Sequence, residues 1–407
     1  MDTAPTKQPT ETSRAREALA WTRRILDACG PRPAGSAAGL KAAELIAADL
    51  RATCDRVEVQ PFECHPHAFI WHNALTAPVT LAASVLLMVG APLIAALLLF
   101  VVLAISVLEF GLYRELMDPL FPKRRCTNVM GVLEPQGEVR RQVVLSAHHD
   151  SAYEFRFMRH SKAVYILALG SVALTLYALP FVAALLAFLG DAPHLAEQLA
   201  GLFGAVGTAV GLLLVSPRSV PGAGDNLVAS AILVRVASEL RERRAQDPGL
   251  LRGTRVIFLS CDAEESGLRG SRAFVRDQRA LLAAAPTSNL DLESFFHLDS
   301  LGALVSDLNG FVKLSDELVA MLEEEAKGLG VPFCRRPMLY GLGATDAAEF
   351  ARAGIPATCL VGMSPSPLHP KPLPYHTRED VPENLEPEVV EAGIELSLRM
   401  ILRLARR

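Results

Sequence analysis

The chain lacks paired cysteines. Its seven (Cys29, Cys54, Cys64, Cys126, Cys261, Cys334 and Cys359) lie at long, irregular spacings. This excludes a thiolate zinc site built on CxxC pairs and an even-numbered disulfide framework, and it favours a reducing compartment. A dominant charge is lacking as well. The formal net charge is -4, with acids and bases interspersed, so there is no basic stripe for nucleic acid and no acidic solvating tail. The opening MDTAPTKQPTETSRARE has no apolar run. No secretory signal is therefore expected there, and residues 1–12 are expected to be disordered.

What the chain has in excess is apolar residues, 51% of the total, above the usual share for a soluble domain. The excess is concentrated in two places. Residues 77–108 carry no charge and break at Gly90, Ala91 and Pro92; residues 163–190 are also uncharged, and 198–216 continue after a short polar loop. A helix needs roughly 20 apolar residues to cross a bilayer, so the second region reads as two spans and the first as two short spans or one long, tilted one. Neither shows the polar face of a surface helix. The expected organisation is one domain made of 13–76, 111–162 and 217–407, interrupted by membrane hairpins at 77–110 and 163–216. Arg114, Lys123, Arg124, Arg125, Arg156, Arg159, Lys162 and Arg218 flank the insertions on the domain side, whereas the loop from Asp191 to Glu197 has no Lys or Arg. By the positive-inside rule the domain faces the cytoplasm, with membrane lipid as one partner.

Outside the insertions, helical periodicity covers Ser13–Cys29, Ala38–Ala52, Ala229–Ala245 and Asp316–Leu329. Strand-like runs cover Arg56–Val59, Asn128–Val132, Val143–Ala147, Arg255–Ser260, Ser294–Leu298 and Ala357–Val361. This alternation predicts an α/β fold, a mostly parallel mixed sheet in a three-layer α/β/α domain. Such sheets bind ligands beyond the carboxyl ends of their strands, and three strand ends carry the residue types of a metal site. VVLSAHHDS ends in His148, with Asp150 two residues on to accept the second imidazole N–H. RVIFLSCDAEESGLRGS presents Glu264 and Glu265, and SFFHLDS presents Asp299. Taken singly, these read as a solvated acidic turn or a helix cap. Converging on one sheet edge, the carboxylates would repel one another unless a cation lay between them. PGAGDNLVAS adds Asp225 in a glycine-rich turn, and LPYHTRED adds His376 on a late loop. His297 and His149 read as packed, and His65, His67 and His72 as a polar prelude to the first apolar run.

In this order the motifs resemble those of the M28 zinc peptidases. GPRPAGSAAGLKAAELIAADL looks like the family's early helix motif and TNVMGVLEP like its edge strand; His148 with Asp150, the GAxDN turn, AEExGLxGS, LDxxG and YHTxxD follow. The resemblance implies the zinc exopeptidase fold and two Zn2+ ions, for which Mn or Co can substitute. One ion would be held by His148 and Asp299, the other by Glu265 and His376, with Asp225 bridging both. It further implies Glu264 as general base, Tyr375 as a donor to the developing oxyanion, a cis bond from Asp225 to Asn226, and a peptide substrate. Two features depart from the family. Its SDH motif is Thr345, Asp346, Ala347 here, without the histidine, which bears on substrate selection. The apolar insertions are absent from its soluble members.

An aminopeptidase is the first expectation. A carboxypeptidase would need an arginine site, for which Arg335 and Arg336 are the candidates, and a glutaminyl cyclase is a further alternative within the family. A non-catalytic receptor or assembly subunit on the same scaffold is the alternative of another class. Oligomeric state is not legible.

Overall fold

The computed structural model describes residues 13–158, 162–190, 193–338, 343–364, 366 and 369–406. The disorder expected for residues 1–12 lies outside these. In chain order, helix α1 (Ser13–Cys29) ends at Gly30, whose φ of 69° is left-handed. Helix α2 (Ala37–Thr53) starts at Ser36, whose hydroxyl accepts from the Gly39 N–H and satisfies one of the free donors of the first turn. Strand β1 (Arg56–Cys64), helices α3 (Pro66–Met88) and α4 (Pro92–Ser106), and strands β2 (Arg124–Leu133), β3 (Arg141–His148) and β4 (Tyr153–Phe155) follow. Then come α5 (Lys162–Ala173), α6 (Leu179–Leu189), α7 (His194–Leu214), β5 (Val215–Ser219), α8 (Val228–Gln246), β6 (Thr254–Cys261), α9 (Arg269–Asp277) and α10 (Arg279–Ala283). The chain closes with β7 (Thr287–Phe295), β8 (Gly302–Asp307), β9 (Val312–Lys313), α11 (Asp316–Leu329), β10 (Cys334–Pro337), α12 (Ala347–Arg352), β11 (Ala357–Gly362) and α13 (Pro387–Ala405).

These elements form two units. The first comprises the residues up to Glu63, Arg125–Ala152 and everything from Val220 onward. It is built on a sheet in the order β1-β2-β6-β3-β7-β11-β8-β10, with β9 paired to β8. Strands β6, β3, β7 and β11 run parallel, while β2 and β8 run antiparallel to their neighbours β6 and β11. The period-two alternation of each strand feeds two cores. Val143, Leu145, Val256 and Phe258 face the core shared with α8, α11 and α13, while Val144, Ile257 and Leu259 face the one shared with Phe274 of α9 and Phe350 of α12. The result is the expected three-layer α/β/α arrangement.

The second unit, Cys64–Arg124 and Tyr153–Ser219, contains four helices long and apolar enough to cross a membrane: Pro66–Met88, Pro92–Gly111, Ala163–Leu189 and His194–Leu214. The first insertion is therefore two helices, parted at Gly90 (φ 82°) and restarted by Pro92. It also begins before Ala77. The stretch read as a polar prelude is the first part of α3, because buried His72 satisfies its Nδ1 on the Phe69 carbonyl and so costs the helix little. Residues 65–76, 111–123, 153–158, 162 and 217–219 thus belong to the helical unit. The unit is apolar outward as well as inward. Leu97, Val101, Leu167 and Phe188 are exposed, while Ala83, Leu87, Ala96, Leu99 and Ala183 are buried. Large outward side chains around a core of alanines and leucines suit hydrocarbon surroundings, in which small residues allow the close backbone approach that drives helix association.

Candidate metal centre

Parallel pairing places the site. Strand β3 joins β7 in a register that sets Gln142 beside Thr287 and Ser146 beside Asp291; carried on at the same offset, His148 comes beside Glu293. Strand β6, the other neighbour of β3, delivers the loop with Glu264 and Glu265 at the same edge. Asp225 stands in the turn before α8, where its peptide bond to Asn226 is cis, and His376 lies on the late loop between β11 and α13.

Of the three donor groups that result, one joins His148 to Glu264 and Glu265, and two share Asp225. In one of those two, His148 Nε2 lies 3.3 Å from Glu293 Oε1 and 3.6 Å from Asp225 Oδ1. In the other, His376 Nε2 lies 3.0 Å from Asp225 Oδ2 and 3.3 Å from Glu265 Oε1. Asp225 offers one oxygen to each set. A tetrahedral zinc ion with N and O ligands at ~2.0–2.2 Å keeps its donor atoms roughly 3.3–3.6 Å apart, so the spacing fits such an ion. The buried oxygens agree. Asp225 Oδ2 and Glu265 Oε1 are buried and both face His376 Nε2, and two carboxylate oxygens sharing one imidazole nitrogen are an expensive arrangement unless a cation is their partner.

The five ligands expected from the sequence are thus not all brought together. His148, Asp225, Glu265 and His376 converge; Asp299 does not. It sits beyond the end of β7 in a short 3-10 turn, Leu298–Ser300, with a half-exposed side chain that bridges to Lys371 (2.9 Å) and His369 (3.3 Å). Against the opposing effect of burial, hydrogen bonds from Lys371 and Ser300 and the Lys371 charge hold its carboxyl below the usual range. Glu293 occupies the place assigned to Asp299. The strand here runs over Thr287–Phe295, not Ser294–Leu298, so the sequence reading took a turn for the strand end. A signal was present in NLDLESFF: Leu290 and Leu292 alternate with Asp291 and Glu293, and both carboxylates are buried in a central strand.

The accessory residues are placed as follows. Asp150 Oδ1 lies 3.3 Å from His148 Nδ1. Its two oxygens also accept the backbone N–H groups of Glu264 and Glu265 at 3.2 Å each. Glu264 is buried, with Oε2 3.7 Å from His148 Nε2. Tyr375 stacks on His376 at a ring separation of 3.9 Å and meets Phe296 edge-on. His149 turns away onto the Ser260 hydroxyl, burial pushing its imidazole down to about 3, and buried His297 is bound to the Pro372 carbonyl. Asp346, where the expected SDH motif lacks its histidine, is buried.

The electrostatics register an excess of negative charge. Burial would lower the His148 imidazole, yet Glu293 and Glu264 hold it well above its usual value. Against the same penalty, Glu265 and Asp225 raise His376 to about 10. Burial, together with Glu293 and Glu265, pushes Glu264 well above the ordinary carboxylate range. Asp225, Glu264, Glu265 and Glu293 against two imidazoles form a site that a bound cation would neutralise. All donors are N or O, which suits zinc.

Comparison with known proteins bears on the fold and on the family. The model of peptidase family M28 matches residues 203–401. Among solved structures, the chain is similar to a zinc-dependent exopeptidase from Parabacteroides distasonis (13% identity, TM-score 0.55, 95% of this chain and 97% of that one). It is similar to a zinc aminopeptidase from Bacillus subtilis (16%, TM-score 0.55, 96% and 94%) and to a glutaminyl cyclase from an Acidobacteriales bacterium (15%, TM-score 0.56, 100% of each). At these identities the likeness is one of fold. No curated protein sequence matches the chain significantly. Motifs and fold point the same way as the family model, which identifies residues 203–401 as similar to peptidase family M28.

Proposed function

We propose that this chain is a membrane-embedded, zinc-dependent exopeptidase that releases N-terminal amino acids from peptides on the cytoplasmic side. The observation that carries the reading is Asp225, which offers one oxygen to His148 and Glu293 and the other to Glu265 and His376. That arrangement suits a pair of ions, with zinc the ion best matched to the donors. Zinc held there supplies an acidified water and stabilises developing negative charge on oxygen.

The chain's own residues do the rest. Glu264, which joins His148 and Glu265 in a third donor group but belongs to neither set that shares Asp225, takes the proton of the attacking water and delivers it to the departing amine. Asp150 fixes the His148 ring through Nδ1, leaving Nε2 for the ion. The Tyr375 side chain is half-buried, and desolvation together with the charges of Asp225, Glu265, Glu264 and Glu293 holds its phenol well above its usual value. It therefore stays protonated and can donate to an oxyanion. The membrane reading rests on the four apolar helices and on the Lys and Arg residues that flank them at one end only.

The test is digestion of a peptide library by the detergent-purified protein, with metal quantified in the same sample. Sequential loss of N-terminal residues from free but not N-blocked peptides is expected. Trimming from the carboxyl end, or loss of ammonia from N-terminal glutamine, would replace aminopeptidase with carboxypeptidase or glutaminyl cyclase. A preparation that binds no divalent metal and alters no peptide is a receptor or assembly subunit on a peptidase scaffold.

A further inference from the structure

The GPRPAGS segment contains Arg32, which is fully buried and touches no donor atom of the site. Its guanidinium donates to four main-chain carbonyls: Nε to His149 (2.8 Å), Nη1 to Gly30 (3.0 Å) and Pro221 (2.9 Å), and Nη2 to Gly222 (3.0 Å). The backbone at Arg32 adds a reciprocal pair, its N–H donating to Ser151 Oγ at 2.8 Å and its carbonyl accepting from the Ser151 N–H at 3.0 Å. One side chain therefore joins the segment that follows His148 to the turn that leads into Asp225. The turn is held from its other side by Asp380, which accepts from the Gly224 N–H at 2.6 Å and the Asp225 N–H at 3.2 Å, four residues after His376.

We propose that Arg32 is a positioning residue for the metal centre, setting the distance between the His148 strand end and the bridging Asp225. This rests on the metal reading above. The geometry favours it over a purely structural role. A buried cation is costly to keep, and lysine could offer three donors but not a planar fork directed at carbonyls of separate segments. What the fork fixes is two ligand-bearing loops, whereas the sheet itself is held by its own ladders. Gly222 belongs to the same device. Its φ is 62°, and a Cβ there would stand 2.7 Å from Ser151 Cβ and 3.4 Å from Arg32 Nη2, so only glycine lets the turn reach the guanidinium.

The experiment compares the full-length wild type with Arg32→Lys, Arg32→Ala and Ser151→Ala after removal and back-titration of metal. It reads Co2+ stoichiometry, affinity and visible spectrum, with thermal unfolding alongside. Expected are a loss of affinity of about 10–100-fold in Arg32→Lys, the usual effect of removing a partner that orients a ligand, and an altered cobalt spectrum. Partial recovery of both in Arg32→Ala on adding guanidinium is also expected. Should Arg32→Ala not fold, Arg32→Lys and Ser151→Ala carry the comparison. Ile401→Val, a core trimming in α13, lowers the melting temperature without moving cobalt affinity and so calibrates the effect of stability alone. A folded Arg32→Lys protein with wild-type affinity and spectrum overturns the proposal and leaves the function standing. A wild type that takes up no metal overturns the function first.

Discussion

His148 and Glu293 stand side by side across the parallel pair β3 and β7, with Nε2 and Oε1 3.3 Å apart. Strand register rather than loop conformation sets this relationship, so Glu293 is a fixed part of the site and Asp299 is not. On the two-ion reading proposed above, Glu293→Ala is expected to lose one ion, whereas Asp299→Ala keeps both. Breaking the exposed Asp299 pairs should cost under about 1 kcal/mol of stability. Metal per chain, measured by atomic emission after dialysis, decides between them; a depleted Asp299 variant beside a fully loaded Glu293 variant would reverse the assignment.

Glu264 differs from its neighbour Glu265 in what it is placed to do. Glu265 Oε1 is 3.3 Å from His376 and belongs to a donor set with Asp225, while both complete sets that include Asp225 leave Glu264 out. Glu264→Gln is therefore expected to retain its metal and lose about 10²–10⁴-fold in turnover, the range usual for a missing proton-transfer group. Steady-state kinetics with paired metal analysis checks this. Turnover near that of the wild type would remove Glu264 from the role of base.

Helices α1 and α11 follow the sequence reading to the residue, and α2 and α8 differ from it by one residue at each end. Their apolar spacing is periodic, and Ser36 and Ser315 cap two of them. The candidate site was legible wherever a donor residue ends a strand or lies in a turn or loop, as with His148, Glu265, Asp225 and His376. It was not legible at Glu293, because a carboxylate inside a strand reads as an outward-facing residue until pairing puts a partner on both sides. Strand β8 was hidden for a related reason: GALVSD follows β7 after a single tight turn, and only its antiparallel pairing with β11 separates the two strands. The start of α3 was obscured by histidines whose polarity the fold satisfies internally.

Cys334 provides a handle on orientation. It is exposed, whereas five of the seven cysteines are buried and Cys29 is partly so. If the sheet unit faces the cytoplasm, a membrane-impermeant maleimide should leave Cys334 unlabelled in intact cells and label it in inside-out vesicles, with Cys334→Ser as the control. Labelling in intact cells would invert the topology and set aside the charge argument.

Helix α7 carries Gly201, Gly204 and Gly207 at three-residue spacing, and these glycines let it approach its neighbours closely. A Cβ on Gly201 would fall 2.4 Å from the Ser84 carbonyl oxygen and 3.2 Å from the Met88 nitrogen, both main-chain atoms of α3 that cannot swing aside. Gly170 in α5 has nothing within 4 Å of the same position. Gly201→Ala is therefore expected to cost about 1–3 kcal/mol through overpacking. Gly170→Ala should be neutral or gain up to about 1 kcal/mol, because alanine loses less backbone freedom than glycine in a helix. Thermal unfolding of both variants in the same detergent tests the contrast. Equal melting temperatures would mean that α3 and α7 do not meet through this stripe, since a main-chain clash at 2.4 Å leaves no side chain to absorb it.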